Sequence, residues 1–333
     1  MPRSYLISMV SQFDAYLGRL IRTVFLIKPE LLNASERNIS FQQLMALGSV
    51  DDARDFLLEK EVESVLRESH AEHFRWMEQK LGMPLRKDLA VWPFFIEVTE
   101  RRNLFVHTGG RVSSQYLKVC HEHGVSFDKP PFKEEPRSGD ELDVSHQYFM
   151  HAYHVLFEIG FKLAHVIWRK LRPDDREEAD SNLIDLTYDV LSERDYELAK
   201  TLLDFSTVTI KTFSKDDRRR RMIVNRAQAY KWSGDTATAN KILEEEDWSA
   251  TGEHFQLAVA VLSDKYADAA ELMRHLGINK KISKVDYQTW PLFREFCDTP
   301  EFAQAYIDVF GEEYVRDVGQ ETDVDLLDLM LSS

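Results

Sequence analysis

The sequence predicts an all-α protein, and three observations carry that expectation. Apolar residues recur at i, i+3 and i+4 through most of the chain instead of alternating, which is the period of an amphipathic helix. Only 13 of 333 residues are glycine, against a usual share of about 7%, too few for a turn-rich β fold or a glycine-rich phosphate loop. Serines stand before many of the apolar runs and glycine or proline after them, which is helical punctuation.

The elements follow in order. Phe13, Tyr16, Leu17, Leu20, Ile21, Val24 and Phe25 form one helical face. Lys28 and Pro29 end it, because the residue before a proline is pushed out of the α region. Ser40 with Gln43 makes a capping box for a short helix that Gly48 stops. Ser49 and Asp52 then open one long helix whose apolar face holds Val50, Ala53, Phe56, Leu57, Val62, Val65, Leu66 and Phe74, closed by Gly82 and Pro84. Pro93 suits the first position of the next helix. Phe95, Ile96, Thr99, Asn103 and Val106 carry it to about His107, where Gly109 and Gly110 end it. Residues 124–139 read as a loop by their proline, glycine and charge content. Tyr148, Ala152, Val155, Leu156, Ile159, Leu163 and Ile167 mark a further long helix. Arg172 and Pro173, followed by a charge run, form the expected domain boundary, giving a first domain over 1–172 and a second over 173–333.

The second half repeats itself. Segments beginning at Asp195, Asp235, Lys265 and Glu301 place Ala199, Ala239, Ala269 and Ala305 in matching positions, 40, 30 and 36 residues apart. Alanine permits a close helix crossing, and Gly234 suits a turn with positive φ. Around Ala229, Tyr230, Gly234 and Asp235 the pattern resembles tetratricopeptide repeats, whose helix–turn–helix period is about 34 residues. The resemblance implies a TPR-like helical-repeat domain. An acidic amphipathic tail around 321–330 ends the chain.

Composition narrows the function classes. Lys and Arg number 42 and Asp and Glu 57, a net charge of −15, which excludes a bulk nucleic-acid coat protein but not a local basic site. Two cysteines rule out a disulfide framework and imply a reducing compartment. No apolar run reaches the ~18 residues of a membrane span, and a cytoplasmic location is expected. The phosphate-loop, dinucleotide and esterase motifs are absent. His146, His151, His154 and His165, and the pair His70 and His73, lack the third ligand and the H-E-x-x-H pattern of a zinc site, so no metal and no cofactor is expected.

Residues 100–112 carry the chemistry. Arg102, Asn103 and His107 lie at the end of an apolar helix, with Gly109 and Gly110 after them. A metal-independent cleavage of RNA needs a proton-transfer group that titrates near neutral pH and a permanent cation at the phosphate, tasks suited to His and Arg. Arg102 and His107 are ~140° apart around an ideal helix, whereas Asn103 and His107 are i, i+4 neighbours. Arg102 can join His107 only if the helix unwinds near Gly109 or if two copies meet.

This segment resembles the signature of the HEPN superfamily (the higher eukaryotes and prokaryotes nucleotide-binding domain), over roughly residues 10–172. The resemblance implies an N-terminal HEPN-like helical bundle and a homodimer with motifs from two protomers lining one cleft. It implies an endoribonuclease, of the toxin or antiviral-defence effector kind, in which His107 transfers a proton, Arg102 stabilises the phosphate and Asn103 orients either His107 or the substrate. Glu97, Glu100 and Tyr116 are candidate supporting groups, though a salt-bridged surface for the two acids and a packing role for Tyr116 are the plainer readings. Arg101 and Arg111 are candidate RNA-backbone contacts. Arg218, Arg219, Arg220 and Arg221 read as such a contact or as a solvated helix start, the latter favoured. The helical repeats offer a surface for a protein partner or inhibitor. The alternative is a non-catalytic dimeric adaptor using its repeats for protein–protein interaction. A family variant modified on a tyrosine just after the histidine fits poorly, since the next tyrosine after His107 is Tyr116.

Overall fold

A computed structural model describes residues 2–33, 38–87, 89–132, 134–278 and 282–315. The acidic tail over 321–330 lies outside them. The fold is all-α: among the described residues there is no strand, only an isolated bridge between Arg111 and Glu141. The chain divides into two compact units, Met1–Ile167 and Trp168–Ser333. No helix among the described residues is long and apolar enough to cross a membrane.

The first unit contains α1 (Pro2–Ile27), α2 (Glu30–Asn33), α3 (Phe41–Leu47), α4 (Val50–Leu66), α5 (His70–Leu81), α6 (Trp92–Thr108), α7 (Ser114–Glu122) and most of α8 (His146–Leu171). On α1 the stripe Leu6, Val10, Phe13, Leu17, Ile21 and Val24 is buried, and the helix packs on α4 and α6. Phe95 sits at the centre of the core, its ring 5.4 Å from Phe13, 5.8 Å from Phe74 and 5.4 Å from Trp92. The capping box at Ser40 and the left-handed Gly48 form as expected.

The long helix expected from Ser49 to Gly82 is two helices. Ser69 caps α5 by accepting from the Glu72 N–H, and the chain turns through residues 67–69. The apolar period runs on across the break, so the period alone joins what the cap separates. Val50, expected on the inner face, is exposed, and Leu58 is buried in that helix. Residues 124–132 and 134–139 form turns and irregular backbone, as their composition indicated, while α7 precedes them with Ser113 as its cap.

The second unit contains α9 (Arg176–Ser192), α10 (Tyr196–Asp204), α11 (Asp216–Trp232), α12 (Thr236–Glu244), α13 (Glu253–Leu262), α14 (Tyr266–Ile278), α15 (Lys284–Thr289) and α16 (Pro300–Phe310). Three antiparallel pairs, α9–α10, α11–α12 and α13–α14, share one turn geometry. Arg194, Gly234 and Asp264 occupy the same left-handed position, with φ of 63°, 92° and 58°. The N–H groups of Asp195, Asp235 and Lys265 reach back to the carbonyls of Val190, Tyr230 and Ala260 at 3.2, 2.9 and 2.9 Å. This is the Schellman closure of a helix C-terminus. The four aligned alanines are all wholly buried, Ala199, Ala239 and Ala269 near the starts of α10, α12 and α14 and Ala305 in the middle of α16, where a larger side chain would hold the helices apart.

Candidate functional site

All candidate residues of the first unit descend from α6 and its neighbours. Pro93 stands at the start of α6, and a left-handed Gly109 caps its end. Gly110 follows with φ of 91°, and a Cβ there would meet the Phe105 ring at 3.0 Å and the Leu142 carbonyl at 3.2 Å, so only glycine fits. From Gly110 to Val112 the backbone pairs with residues 139–142 through Leu142 N to Gly110 O and Val112 N to Asp140 O, at 2.9 and 2.8 Å. Arg3 of α1 donates to the Gly109 carbonyl at 3.3 Å, pairs with Glu141 and lies over the Phe105 ring. A cation at a helix C-terminus complements the macrodipole.

The inner face of α6 holds a buried polar quartet. Glu97 is wholly buried, and Arg101 one turn later is 6% exposed. Glu97 Oε1 accepts from Arg101 Nε at 2.7 Å and from the Tyr116 hydroxyl at 2.5 Å. Its Oε2 accepts from the Tyr148 hydroxyl at 2.5 Å. Arg101 Nη1 donates to the Asp143 carbonyl at 2.7 Å, and its guanidinium lies 4.0 Å from the Tyr148 ring centre. Burial works against the Arg101 charge, but the Glu97 carboxylate outweighs it and raises the pKa. Burial, then the Glu97 charge, push the Tyr116 phenol up, and burial raises Tyr148. The same two causes push the neighbouring Cys120 thiol up to about 12. Both phenols therefore stay protonated and donate.

Two expectations change here. Arg101 is enclosed and bonded on two sides, so it is not an RNA-backbone contact. Glu97 is salt-bridged, but in the interior and not on a surface. Tyr116 ties α7 to α6, which is the packing role.

The outer part of α6 meets α1 and α5. Asp14 of α1 divides its carboxylate between two partners: Oδ1 lies 2.7 Å from His70 Nε2, and Oδ2 accepts from Arg102 Nη2 at 2.6 Å. The His73 ring lies 5.1 Å from that of His70. Glu100 accepts from the Asn103 side chain. Burial opposes ionisation of Asp14, but the His70 bond and the His70 and Arg102 charges outweigh it, and its carboxyl stays below the usual range. Burial pushes Glu100 up against the pull of His70, Asn103 and Arg102. Burial, helped by the His70 charge, lowers His73 to about 4.

His107 stands apart from this cluster. It is exposed in the last turn of α6. Among the described residues its side chain forms no hydrogen bond or ion pair, with Arg102 or any other group. The helix runs unbroken through Thr108, so unwinding does not bring the two together within one chain. Five residues separate them by about 7.5 Å along the axis and ~140° around it. Arg111 is exposed just beyond the cap. Asp14 was not among the sequence candidates. Its one sequence mark is its place four residues after Val10 and three before Leu17, where the helical period calls for an apolar side chain.

The remaining sequence candidates resolve simply. Arg218 bonds Ser181 and Glu177, Arg219 clasps Glu246 at 2.5 and 2.8 Å, Arg220 bonds Asp216 and the Asp247 carbonyl, and Arg221 faces Asp217 at 3.9 Å. This is a charge-balanced helix start. His151 packs against Phe94 with ring centres 4.3 Å apart, and burial lowers its pKa. Among the described residues, no group of three or more His, Cys, Asp or Glu side chains is arranged to hold a metal ion. No protein-family model, curated protein or solved structure matches this chain.

Proposed function

We propose that the chain is a metal-independent endoribonuclease of HEPN-like type, a toxin or antiviral-defence effector acting in the cytoplasm as a homodimer. The observation that carries this reading is the division of labour on α6: an arginine anchored in a polar cluster and, one and a half turns on, an exposed histidine without a partner. The RNA 2′-hydroxyl attacks the adjacent phosphorus, the bond to the 5′-oxygen breaks, and a cyclic 2′,3′-phosphate and a 5′-hydroxyl result. His107 transfers the proton. Arg102 stabilises the charge on the crowded phosphate, and Asn103 orients histidine or substrate. Because Arg102 and His107 do not meet on one helix, each site takes its arginine from one protomer and its histidine from the other. The helical pairs of the second unit are TPR-like repeats and bind a protein partner or inhibitor.

The competing reading is a non-catalytic dimeric adaptor. It draws on the net charge of −15 and on the carboxylate pairing of residues 218–221. The test is incubation of the purified chain with total RNA and with a tRNA pool in EDTA, beside His107→Ala and Arg102→Ala. Cleavage with cyclic-phosphate ends that both variants lose is the expected result. Intact RNA in every lane favours the adaptor, and cleavage that survives both substitutions overturns the assigned residues.

A further inference from the structure

Asp14 and His70 have no part in the reaction as written above, and their geometry gives them one. Asp14 is the point where three helices meet: α1 supplies the carboxylate, α5 supplies His70, and α6 supplies Arg102. The two carboxylate oxygens are used separately, His70 Nε2 at 2.7 Å on one and Arg102 Nη2 at 2.6 Å on the other. His70 is 8% exposed at its side chain, Arg102 20% and Asp14 31%, so the histidine is the fixed end of the chain of bonds and Arg102 a more open one. His70 is itself held in place, edge-on to Phe95 with ring centres 5.6 Å apart.

A guanidinium grips phosphate well because its fork is planar and rigid, but it sits on a long stem with several free torsions. Catalysis by such a group depends on its being in place before the substrate arrives. The Asp14 bond removes that freedom. The carboxylate could itself rotate, and the His70 bond on its second oxygen prevents this. The contact leaves part of the fork unengaged: Arg102 meets Asp14 through Nη2, and Arg102 Nε is buried with no hydrogen-bond partner among the described residues. A donor left unsatisfied inside a protein is unfavourable, so the Arg102 guanidinium has hydrogen-bonding capacity that Asp14 does not use.

We propose that Asp14 and His70 are positioning residues that hold the Arg102 guanidinium ready for an anionic phosphate. This rests on the ribonuclease reading for its kinetic consequence but not for its structural one. Neither residue touches the reacting atoms. Asp14 remains ionised, and it balances the Arg102 charge before substrate binds.

The experiment combines kinetics with a spectroscopic arm on the full chain. Cleavage of an RNA oligonucleotide is followed for wild type, Asp14→Ala, His70→Leu and His70→Gln, with thermal melts to confirm folding. In parallel, 15N-labelled arginine reports the solvent exchange of the Arg102 guanidinium protons, assigned with Arg102→Lys. Asp14→Ala and His70→Leu are expected to lower kcat by roughly 10- to 100-fold, the range a misplaced group costs, with a smaller change in KM. His70→Gln is expected to recover most of the loss, because its amide can still donate to Asp14. The guanidinium protons of Arg102 are expected to exchange faster in Asp14→Ala.

Wild-type kcat in a folded Asp14→Ala protein overturns the proposal. A His70→Gln protein as slow as His70→Leu also overturns it, since a proton-transfer role for His70 is then required. If the wild-type chain cleaves no RNA, the ribonuclease reading has failed and the exchange measurement alone decides. Unchanged Arg102 exchange in folded Asp14→Ala then overturns the positioning arrangement, and faster exchange supports it.

Discussion

Arg102 and His107 share one unbroken helix, yet Arg102 turns to Asp14 of α1 while His107 faces solvent. If a single site uses both, it is composite, and that gives a sharp consequence. Arg102→Ala and His107→Ala, each inactive alone, are expected to regain activity when unfolded together and refolded, or co-expressed. About one quarter of wild-type activity is expected, since half of randomly mixed two-fold dimers pair unlike chains and each of those carries one intact site. An RNA cleavage assay on the mixture reads this directly. A mixture as inactive as its components would show both residues acting from the same chain.

The Glu97–Arg101 pair makes a prediction about stability. A surface pair contributes at most about 1 kcal/mol, whereas removing one partner of a buried pair destabilises by about 3–5 kcal/mol. Glu97→Ala leaves Arg101 and two phenols without their acceptor and is expected to show the larger loss. Glu97→Met combined with Arg101→Met is expected to recover part of it, because no unpaired charge remains. Urea unfolding midpoints compare the three proteins. A loss below about 1 kcal/mol for Glu97→Ala would contradict the buried arrangement.

His73 makes stability depend on pH. Its folded pKa is lowered from 6.5 to about 4, so between those values the unfolded chain binds more protons than the folded one. Stability therefore rises with pH through that window, and it is lost as pH falls from about 6.5 through about 4. The contribution is of order 3 kcal/mol. His73→Phe is expected to flatten that part of the profile, leaving the fall due to carboxylates such as Asp14 that lies at lower pH. Urea midpoints measured from pH 7 to pH 4 check it. An unchanged slope in the variant would place the titration elsewhere.

Much of the fold was legible because helices are local objects. Caps and breakers act within four residues, so Ser40, Gly48 and Gly109 marked their boundaries correctly. The repeat alanines were legible for a related reason: a position that must be small in each helix pair leaves the same mark every time. One local sign was overridden. Ser69 with Glu72 is a helix-start pattern, but the apolar period from Val65 to Phe74 ran through it and hid the break.

The site was legible only in part. Sequence alone supplied the residue types and spacing on α6, and the ~140° between Arg102 and His107 already implied that they do not meet on one regular helix. It also placed two adjacent arginines there and expected both to reach RNA, with no sign that one of them faces the interior. Neighbours on a helix point ~100° apart, so their fates depend on how α6 is rotated against the helices around it. Tertiary packing turned Arg101 inward to Glu97, Tyr148 and the Asp143 carbonyl, and turned Arg102 to Asp14, a residue 88 positions away in the chain. A bond across that separation leaves no periodic trace in the sequence, because what brings the two residues together is the burial of the α1 and α6 apolar stripes against each other.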